Sequence, residues 1–554
     1  MADKKLKTNP NLSDNPDRFL WWKHGIIYQI YPRSFQDTND DGIGDINGII
    51  QHLDYIQSLG VDAIWLSPIN PSPDVDFGYD VADYHTIDPK FGNLQDFDRL
   101  LKEAHKRDLH IIMDLVLSHS SDQHRWFQES RKSKDNPYHD WYIWRDPASG
   151  GGVPNNWQST FGGGAWEYDQ NLDQYYYHMF TKEQPDFNWR NPEVRTALLD
   201  VFRYWLDKGV DGFRLDVFNN YFQDQEFRNN PKSEGFGIRR LVHKFDAQKH
   251  IYDTNQPEMI GVVEEIREIM DSYPDRYVVG ETFAVDSAEA RRYIGPKRFH
   301  AGFDYRFCKS PFKARAYGQA IQYWDALHGE EAWPNYFLNN HDTPRSTTRF
   351  AHGESDAIPK LLLTMQLTLR GTPYLYYGEE IGMRDVRLSY SQIQDPVGKR
   401  YWPFEKGRDA CRSPMQWNAR PNAGFTAGNP WLPLTRDYKV RNVDAQLNQA
   451  SSTLSFYKDL IKLRKQHPAL YAGKINLIDV ENEDLLVYER IEGSERMLIV
   501  LNFSRRTQTH QLPVENYNQW ELLFTGNEAI TSQMSENELN LPAYGFAILI
   551  SRSE

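Results

Sequence analysis

Hydrophobic positions along the chain follow two alternating spacings, and their order predicts repeated strand–helix units. Residues 25–31 form a short apolar run typical of a buried strand, whereas apolar residues recur every three or four positions over 45–60, as in a helix that ends at Gly60. Further strands are expected within 61–68, 110–119, 209–217, 276–282, 330–338 and 374–377, and helices at 93–108, 192–209, 257–273 and 355–370. This succession predicts an α/β fold, a (β/α)8 TIM barrel. An open doubly wound sheet is the alternative, but no glycine-rich phosphate loop favours it.

Two segments depart from this rhythm. Residues 120–188 follow the third strand, are rich in aromatic residues and glycine, and are too long for a loop, so a small inserted domain is expected. From residue 474 short alternating strands predict a C-terminal antiparallel β-sandwich domain. The expected organisation is a disordered N-terminal tail (1–20), a barrel (21–119 and 189–473), the inserted domain (120–188) and the C-terminal domain (474–554).

Composition narrows the possible partners. The net charge of −14 over 554 residues argues against nucleic acid and acidic membranes. The 16 Trp, 32 Tyr and 29 Phe residues provide flat apolar faces that suit sugar rings, although aromatic residues more often fill cores. Two cysteines, no signal peptide and no long apolar stretch predict a cytoplasmic protein without membrane contact.

The loop at 37–45 carries oxygen-bearing side chains at alternate positions around a glycine that permits a sharp bend. This spacing is typical of a loop that binds a hard cation, whereas a solvated acidic turn is the alternative. We expect a structural Ca²⁺ held by Asp37, Asn39, Asp41, the carbonyl of Ile43, and Asp45. No organic cofactor is expected.

Polar residues collect at the carboxyl ends of the predicted barrel strands, where barrel enzymes place their chemistry. They are Asp114, His119, Arg214, Asp216, Glu281, His341 and Asp342. Arg214 and Asp216 share one side of their strand because side chains alternate with a period of two. Several carboxylates around one mouth are hard to explain as packing, since like charges repel, whereas a carboxylate pair suits glycoside cleavage.

Four motifs carry a family resemblance. DLVLSH (114–119), GFRLD (212–216), VGE (279–281) and NNHD (339–342) resemble, in order and spacing, the signature regions of the α-amylase family, glycoside hydrolase family 13. The resemblance implies an enzyme that retains anomeric configuration.

The family's roles fall on particular residues of this chain. Asp216 would be the nucleophile, Glu281 the general acid/base and Asp342 the carboxylate that stabilises the transition state. Arg214 would keep the nucleophile ionised.

A narrower resemblance is to the oligo-1,6-glucosidase group. QPDFN (184–188), DFGYD (76–80) and RDACRSPMQW (408–417) are similar to motifs of that group, with Phe77 and Phe187 as departures. The resemblance implies that Arg408 pairs with Asp76 and blocks one end of the pocket, which gives exo action on a terminal glucose. The residues expected to bind substrate are Asp76, Tyr79, His119, Phe161, Arg214, Val217, His341, Arg408 and Arg412.

The expected function is therefore a retaining exo-acting α-glucosidase acting on short α-1,6- or α-1,4-linked oligosaccharides. Val217, directly after the predicted nucleophile, resembles the α-1,6-acting members, although it is also an ordinary strand residue. A phosphorylated substrate would need a basic pocket, and the basic residues at 243–250 are equally typical of a solvated helix face.

Two alternatives remain. The same site could serve a transglucosidase, or a sucrose isomerase or trehalulose-type synthase, although residues 343–354 lack the RLDRD stretch associated with sucrose isomerases. An inactive family-13-like binding subunit is disfavoured because all three carboxylates are present. The sequence does not indicate the oligomeric state.

Overall fold

A computed structural model describes residues 19–234, 240, 242–282, 286–351, 353, 355–512, 520–526, 534–535 and 538–552. The disordered tail expected at 1–20 lies outside these residues except for its last two positions.

Strands occur from near the start of the described chain to its end and are numbered in chain order. They are β1 (Ile27–Ile30), β2 (Ala63–Leu66), β3 (His110–Leu115), β4 (Trp144–Arg145), β5 (Trp166–Asp169), β6 (Gln174–Tyr177), β7 (Gly212–Leu215), β8 (Tyr277–Glu281), β9 (Ala301–Phe303), β10 (Asn335–Phe337), β11 (Thr372–Tyr376), β12 (Lys474–Ile478), β13 (Leu485–Glu492), β14 (Glu495–Asn502), β15 (Gln508–Gln511), β16 (Glu521–Thr525), β17 (Met534–Ser535), β18 (Glu538–Leu541) and β19 (Phe546–Arg552).

Helices alternate with the barrel strands. The described α-helices are Trp21–His24, Ile46–Gln51, Leu53–Leu59, Leu94–His105, Arg125–Ser130, Pro192–Asp207, Met259–Asp271, Ser287–Arg291, Tyr305–Lys309, Ala314–His328, Ser346–Phe350, Ala357–Thr368, Pro396–Tyr401, Val443–Leu447, Thr453–Gln466 and Pro468–Tyr471. The helix predicted at 45–60 is two helices, because the backbone of His52 (φ −107°, ψ 11°) leaves the helical region between them. Gly60 ends the second helix with a left-handed φ of 87°, as a C-terminal glycine does.

An eight-stranded sheet forms the barrel, in the order β10-β11-β1-β2-β3-β7-β8-β9. Each neighbouring pair is parallel, so all carboxyl ends of the strands face the same way. The predicted barrel is confirmed. The hydrophobic pattern did not predict β9, because its three residues are not part of a longer apolar run, whereas the equally short β10 lies within one.

Short strands pack against the barrel in two other places. Within the insert, β4, β6 and β5 form a small sheet. At the C-terminal end, a five-stranded sheet (β12-β13-β14-β19-β16) and a three-stranded sheet (β15-β18-β17) enclose an apolar layer that includes Val487, Leu498 and Leu541. The predicted antiparallel sandwich is therefore confirmed. No helix in the described part of the chain is long and apolar enough to cross a membrane.

Candidate active site

A cavity of about 940 Å³ opens at the carboxyl ends of the barrel strands. The predicted site residues that line it are Asp76, Tyr79, His119, Phe161, Asp216, Val217, Glu281, Asp342 and Arg408. The other three, Arg214, His341 and Arg412, do not line the cavity and are completely buried beside it. Their predicted contact with substrate stays a prediction, and the geometry favours a role in positioning the residues that do line the cavity.

Arg214 joins the predicted catalytic carboxylates. Its Nη1 donates to Asp216 Oδ1 at 2.7 Å and to Asp114 Oδ1 at 2.8 Å, and its Nη2 donates to Glu281 Oε2. Because both Nη atoms are bonded to one carbon, the side chains of Asp216 and Glu281 lie only a few ångströms apart. This arrangement follows from the sheet, since β7 and β8 are adjacent parallel strands that end at the same level.

The electrostatics distinguish the carboxylates. Burial raises the pKa of Asp216, and the Arg214 guanidinium opposes that rise by binding the ionised form. Burial also acts to raise the pKa of Asp342, but His341 and two arginines outweigh it and hold this pKa well below its usual range. Asp342 therefore stays ionised at neutral pH.

The contacts of Asp342 explain that shift. His341 Nε2 lies 3.0 Å from Oδ2, Arg412 Nη2 donates to Oδ1 at 2.9 Å, and Arg408 Nη1 donates to the same oxygen at 3.2 Å. The ring of His341 stacks on Tyr79 at 5.3 Å between centroids, and its Nε2 lies 2.6 Å from the Tyr79 hydroxyl. The Asp342 carboxylate, which lines the cavity, is thus held in place by His341 and two arginines.

An ion pair forms part of the cavity wall. Arg408 Nη2 donates to Asp76 Oδ1 at 2.6 Å and to Asp395 Oδ1 at 2.7 Å, so the pairing of Arg408 with Asp76 that the motifs implied is present. The guanidinium also lies 5.1 Å from the ring of Phe161. The arginine therefore links the loop after β2, the insert and the segment after β11.

His119 is buried in neutral form. Its Nε2 lies 2.9 Å from the carbonyl oxygen of Tyr79 and its Nδ1 lies 2.8 Å from Ser118 Oγ. Burial lowers the pKa of His119 to about 4. Gln184 Nε2 lies 3.1 Å from the same ring, which brings the QPDFN motif of the insert to this part of the site.

Val217 has an unusual backbone conformation. Its φ of 33° lies in the left-handed region, which β-branched residues rarely adopt. It packs into an apolar cluster with Tyr177 and Phe180 of the insert and Phe245 while facing the cavity. Such conformations persist only where the surrounding structure holds them, often at functional sites.

Two residues that complete the site were not expected from the sequence. The Tyr305 hydroxyl donates to Glu281 Oε1, and Asp395 accepts hydrogen bonds from the side chain and backbone of Arg408. Tyr305 follows the unpredicted strand β9, and Asp395 lies outside the motifs, so neither residue gave a signal. Gln184 belonged to a motif that was found, but it was not identified as a site residue.

The loop at 37–45 folds around its own oxygen atoms. Asp37 Oδ1 accepts from the backbone of Asn39 at 2.9 Å, Asn39 Oδ1 from Asp41 at 3.0 Å, and Asp41 Oδ1 from Ile43 at 2.8 Å. Asp45 caps the following helix and binds Thr38. Within the described chain no group of three or more acidic, His or Cys side chains is arranged to hold a metal ion. The residues at these positions nevertheless offer oxygen atoms, the ligand type that Ca²⁺ binds.

Comparison with known proteins defines the class. Residues 29–473 match the family described as "Alpha amylase, catalytic domain", and residues 475–548 match "Maltogenic Amylase, C-terminal domain". The chain belongs to the α-amylase family, which confirms the resemblance seen in the motifs.

Individual relatives narrow this class. The chain is 42% identical to a "Probable alpha-glucosidase" of Rhizobium meliloti (strain 1021), over 96% of this chain and 97% of the relative. It is 41% identical to an "Oligo-1,6-glucosidase" of Parageobacillus thermoglucosidasius, over 89% and 92% of the two chains. Among solved structures, an "alpha-glucosyl transfer enzyme, XgtA" superposes with a TM-score of 0.91 at 39% identity, covering 97% of this chain and all of that one.

Proposed function

We propose that this protein is a retaining, exo-acting α-glucosidase that releases terminal non-reducing glucose from short α-linked oligosaccharides. The observation that carries the proposal is the single guanidinium of Arg214 that holds Asp216 and Glu281 side by side at the cavity. Retaining glycosidases need their two carboxyl groups about 5–5.5 Å apart, whereas inverting enzymes need a wider gap for a water molecule.

In the proposed reaction Asp216 attacks the anomeric carbon while Glu281 protonates the departing glycosidic oxygen. A covalent glucosyl-enzyme forms, and Glu281 then removes a proton from the water that hydrolyses it. Arg214 donates to Asp216 and favours its ionised form, which opposes the rise in pKa that burial causes. Asp342, ionised at neutral pH, stabilises the positive charge that develops on the sugar in each transition state.

Exo action follows from the closed side of the cavity. The Asp76–Arg408 pair leaves no room for a sugar chain to continue past the bound glucose, and both side chains present polar atoms to its hydroxyls. The substrate would therefore enter with its non-reducing end first.

Transglucosylation is the second candidate, because the "alpha-glucosyl transfer enzyme" superposes over almost the whole chain. It would use the same glucosyl-enzyme with a sugar in place of water; a sucrose isomerase would return the glucose to the fructose it came from. Two of the basic residues at 243–250 are paired with carboxylates, His243 with Glu405 at 2.8 Å and Lys249 with Glu234 at 2.5 Å, so this segment gives no support for a phosphorylated aglycone.

The loop at 37–45 is proposed to bind a structural Ca²⁺. Asp37, Asn39, Asp41, Asp45 and the carbonyl of Ile43 would hold it, and the ion would fix the loop without entering the reaction. Elemental analysis of the purified protein should find about one Ca²⁺ per chain, lost in Asp41→Ala. The expected cytoplasmic location remains a prediction from the cysteine content.

Time-resolved NMR on 4-nitrophenyl α-glucoside tests the proposed function, because the glucose released from this substrate comes only from the glycosyl-enzyme. That glucose should appear first as the α-anomer, which then mutarotates. Initial release of β-glucose would refute the retaining mechanism. Accumulation of trisaccharide from maltose or isomaltose, with one glucose released for each trisaccharide formed, would favour the transglucosidase.

A further inference from the structure

A buried glutamate lies behind the segment that carries Asp342. Glu379 follows β11 in a short 3-10 turn and does not line the cavity. Its Oε2 accepts the side-chain amide of Asn339 at 3.0 Å and the backbone N–H of Tyr376 at 3.1 Å. The hydroxyl of Tyr457 also donates to this carboxyl group. Glu379 therefore connects three separate elements of the barrel.

Among these partners, Asn339 connects Glu379 to the segment that carries Asp342. Its Oδ1 accepts the backbone N–H of Ser346 at 2.8 Å, so its side chain joins the two ends of the segment 339–346. Inside that segment, Asn340 Oδ1 accepts the backbone N–H of Asp342 at 2.9 Å. These two hydrogen bonds require a single orientation of the Asn339 amide, with its oxygen toward Ser346 and its nitrogen toward Glu379. Glu379 enforces that orientation because its Oε2 accepts from both Asn339 and the Tyr376 backbone, whereas an amide at this position could turn its own N–H groups toward Asn339.

The stability of the fold does not explain why a glutamate is buried at position 379. In the part of the chain that the structure describes, the hydrogen-bond donors to Glu379 are neutral, and the Arg345 guanidinium acts on its charge without a direct ion pair. Burial raises the pKa of Glu379 to about 7, which means that the folded protein disfavours the ionised form. Burial therefore does not account for a glutamate at this position, whereas its contact with Asn339 offers an explanation.

We propose that Glu379 is a positioning residue for Asp342: it fixes the amide of Asn339 and thereby holds the segment 339–346 in the geometry that places Asp342 against the sugar. The proposal rests on the proposed glucosidase function. Glu379 touches neither substrate nor the reacting atoms, and it acts through Asn339 alone.

The neighbouring residue offers a matched control. Glu380 is equally buried, and its Oε1 accepts from the hydroxyls of Tyr28 and Tyr55 at 2.8 Å each. These contacts lie away from the segment 339–346. Glu379→Gln and Glu380→Gln therefore remove the same charge from adjacent buried positions, and only the first should disturb Asp342.

Steady-state kinetics tests the proposal. Glu379→Gln should lower kcat by roughly 10- to 100-fold with KM within about twofold, because a small misplacement of Asp342 matters most in the transition state. Its melting temperature should stay unchanged or rise, the opposite of what a merely structural role gives. Glu380→Gln should keep kcat within about twofold. An equal loss of kcat in both variants would overturn the proposal.

A double-mutant cycle identifies the route of the effect. In an Asn339→Ala background, Glu379→Gln should reduce kcat no further, because the contact through which it acts is gone. Multiplying effects would contradict action through Asn339.

Hydrogen–deuterium exchange gives a readout that does not depend on any substrate. Amides of 339–346 should exchange faster in Glu379→Gln and not in Glu380→Gln. Unchanged exchange in Glu379→Gln would overturn the positioning role. If the exchange changes as expected but the wild type cleaves no α-glucoside, the proposed function fails and the positioning role survives.

Discussion

Strand β7 has an aspartate at each end, and the two differ in almost every physical respect. Asp211 precedes the strand on the amino-terminal face of the barrel, where its Oδ2 accepts from the Ile111 backbone at 2.8 Å and lies 2.7 Å from His105 Nε2. Asp216 follows the strand on the cavity face, where Arg214 is its main partner. Both carboxylates are buried.

The partners set opposite pKa shifts. Burial acts to raise both pKa values, but the hydrogen bond from His105 and the nearby imidazole of His110 hold the pKa of Asp211 well below its usual range. Asp216 shares its arginine with two other carboxylates, and its pKa is raised. On the amino-terminal face, the ionised form of Asp211 is favoured and stabilises the fold. On the cavity face, burial disfavours the ionised form of Asp216, the residue proposed to carry out the chemistry. Barrel enzymes divide stability and catalysis between their faces in this way.

Replacing Asp216 should have the largest effect. Asp216→Asn should lower kcat by about 10⁴-fold, because the amide cannot attack the anomeric carbon. The same change should leave stability unchanged or raise it by about 0.5–2 kcal/mol, since a disfavoured buried charge is removed. Turnover together with urea unfolding measures both. A marked loss of stability would remove the contrast between the two ends of the strand.

The next largest effect is expected at the Asp76–Arg408 pair on the cavity face. Arg408→Gln should lower kcat/KM on maltose by about 100-fold, because Asp76 loses the partner that fixes its position beside the terminal glucose. Lys399→Gln, on the exposed side of a nearby helix, is the control and should change little. Undiminished kcat/KM in Arg408→Gln would count against the blocked pocket.

On the opposite face, Asp211→Asn should cost about 1–3 kcal/mol of unfolding free energy and leave kcat within about twofold. The depressed pKa of Asp211 contributes stability above its unfolded value of about 3.9, and this contribution is lost as the pH falls below that value. The raised pKa of His105 contributes below about 6.5 and is lost as the pH rises through the folded value.

The difference between wild type and Asp211→Asn should therefore be largest between about pH 4 and 6.5. Unfolding curves across this range measure it. A difference that is constant from about pH 3 to 8 would contradict the assigned pKa shifts.

Val217 should give the smallest effect. Val217→Thr keeps the shape of the side chain and adds a hydroxyl to the cavity wall, which should shift the ratio of kcat/KM from isomaltose toward maltose severalfold, on the order of 1 kcal/mol. Val217→Ile, which adds no polar atom, serves as the comparison. An unchanged ratio in Val217→Thr would show that this residue does not determine the linkage preference.

The sequence predicted the parts of the molecule that repeat or that carry motifs. Buried parallel strands and amphipathic helices indicated the barrel, and the alternation within β7 placed Arg214 and Asp216 on one side, where they are bonded at 2.7 Å. Strand β9 gave no pattern because its three residues are not part of a longer apolar run. Tyr305 and Asp395 were not predicted as site residues for a different reason, because their contacts form only when distant segments of the chain meet.

The left-handed backbone of Val217 also could not be predicted. Local propensity disfavours it for a valine, and only packing against the insert accounts for it. Local signals therefore revealed the residues placed by one strand, whereas residues placed by several segments needed the structure.

The central claim is that Asp216 forms a covalent bond to glucose while Glu281 lies beside it. Trapping with 5-fluoro-α-glucosyl fluoride, followed by proteolysis and mass spectrometry, tests it most directly. The account predicts one added fluoroglucosyl group on the peptide that contains Asp216, and none in Asp216→Asn. Labelling of another carboxylate, or an unlabelled enzyme that still turns the reagent over to β-product, would contradict it.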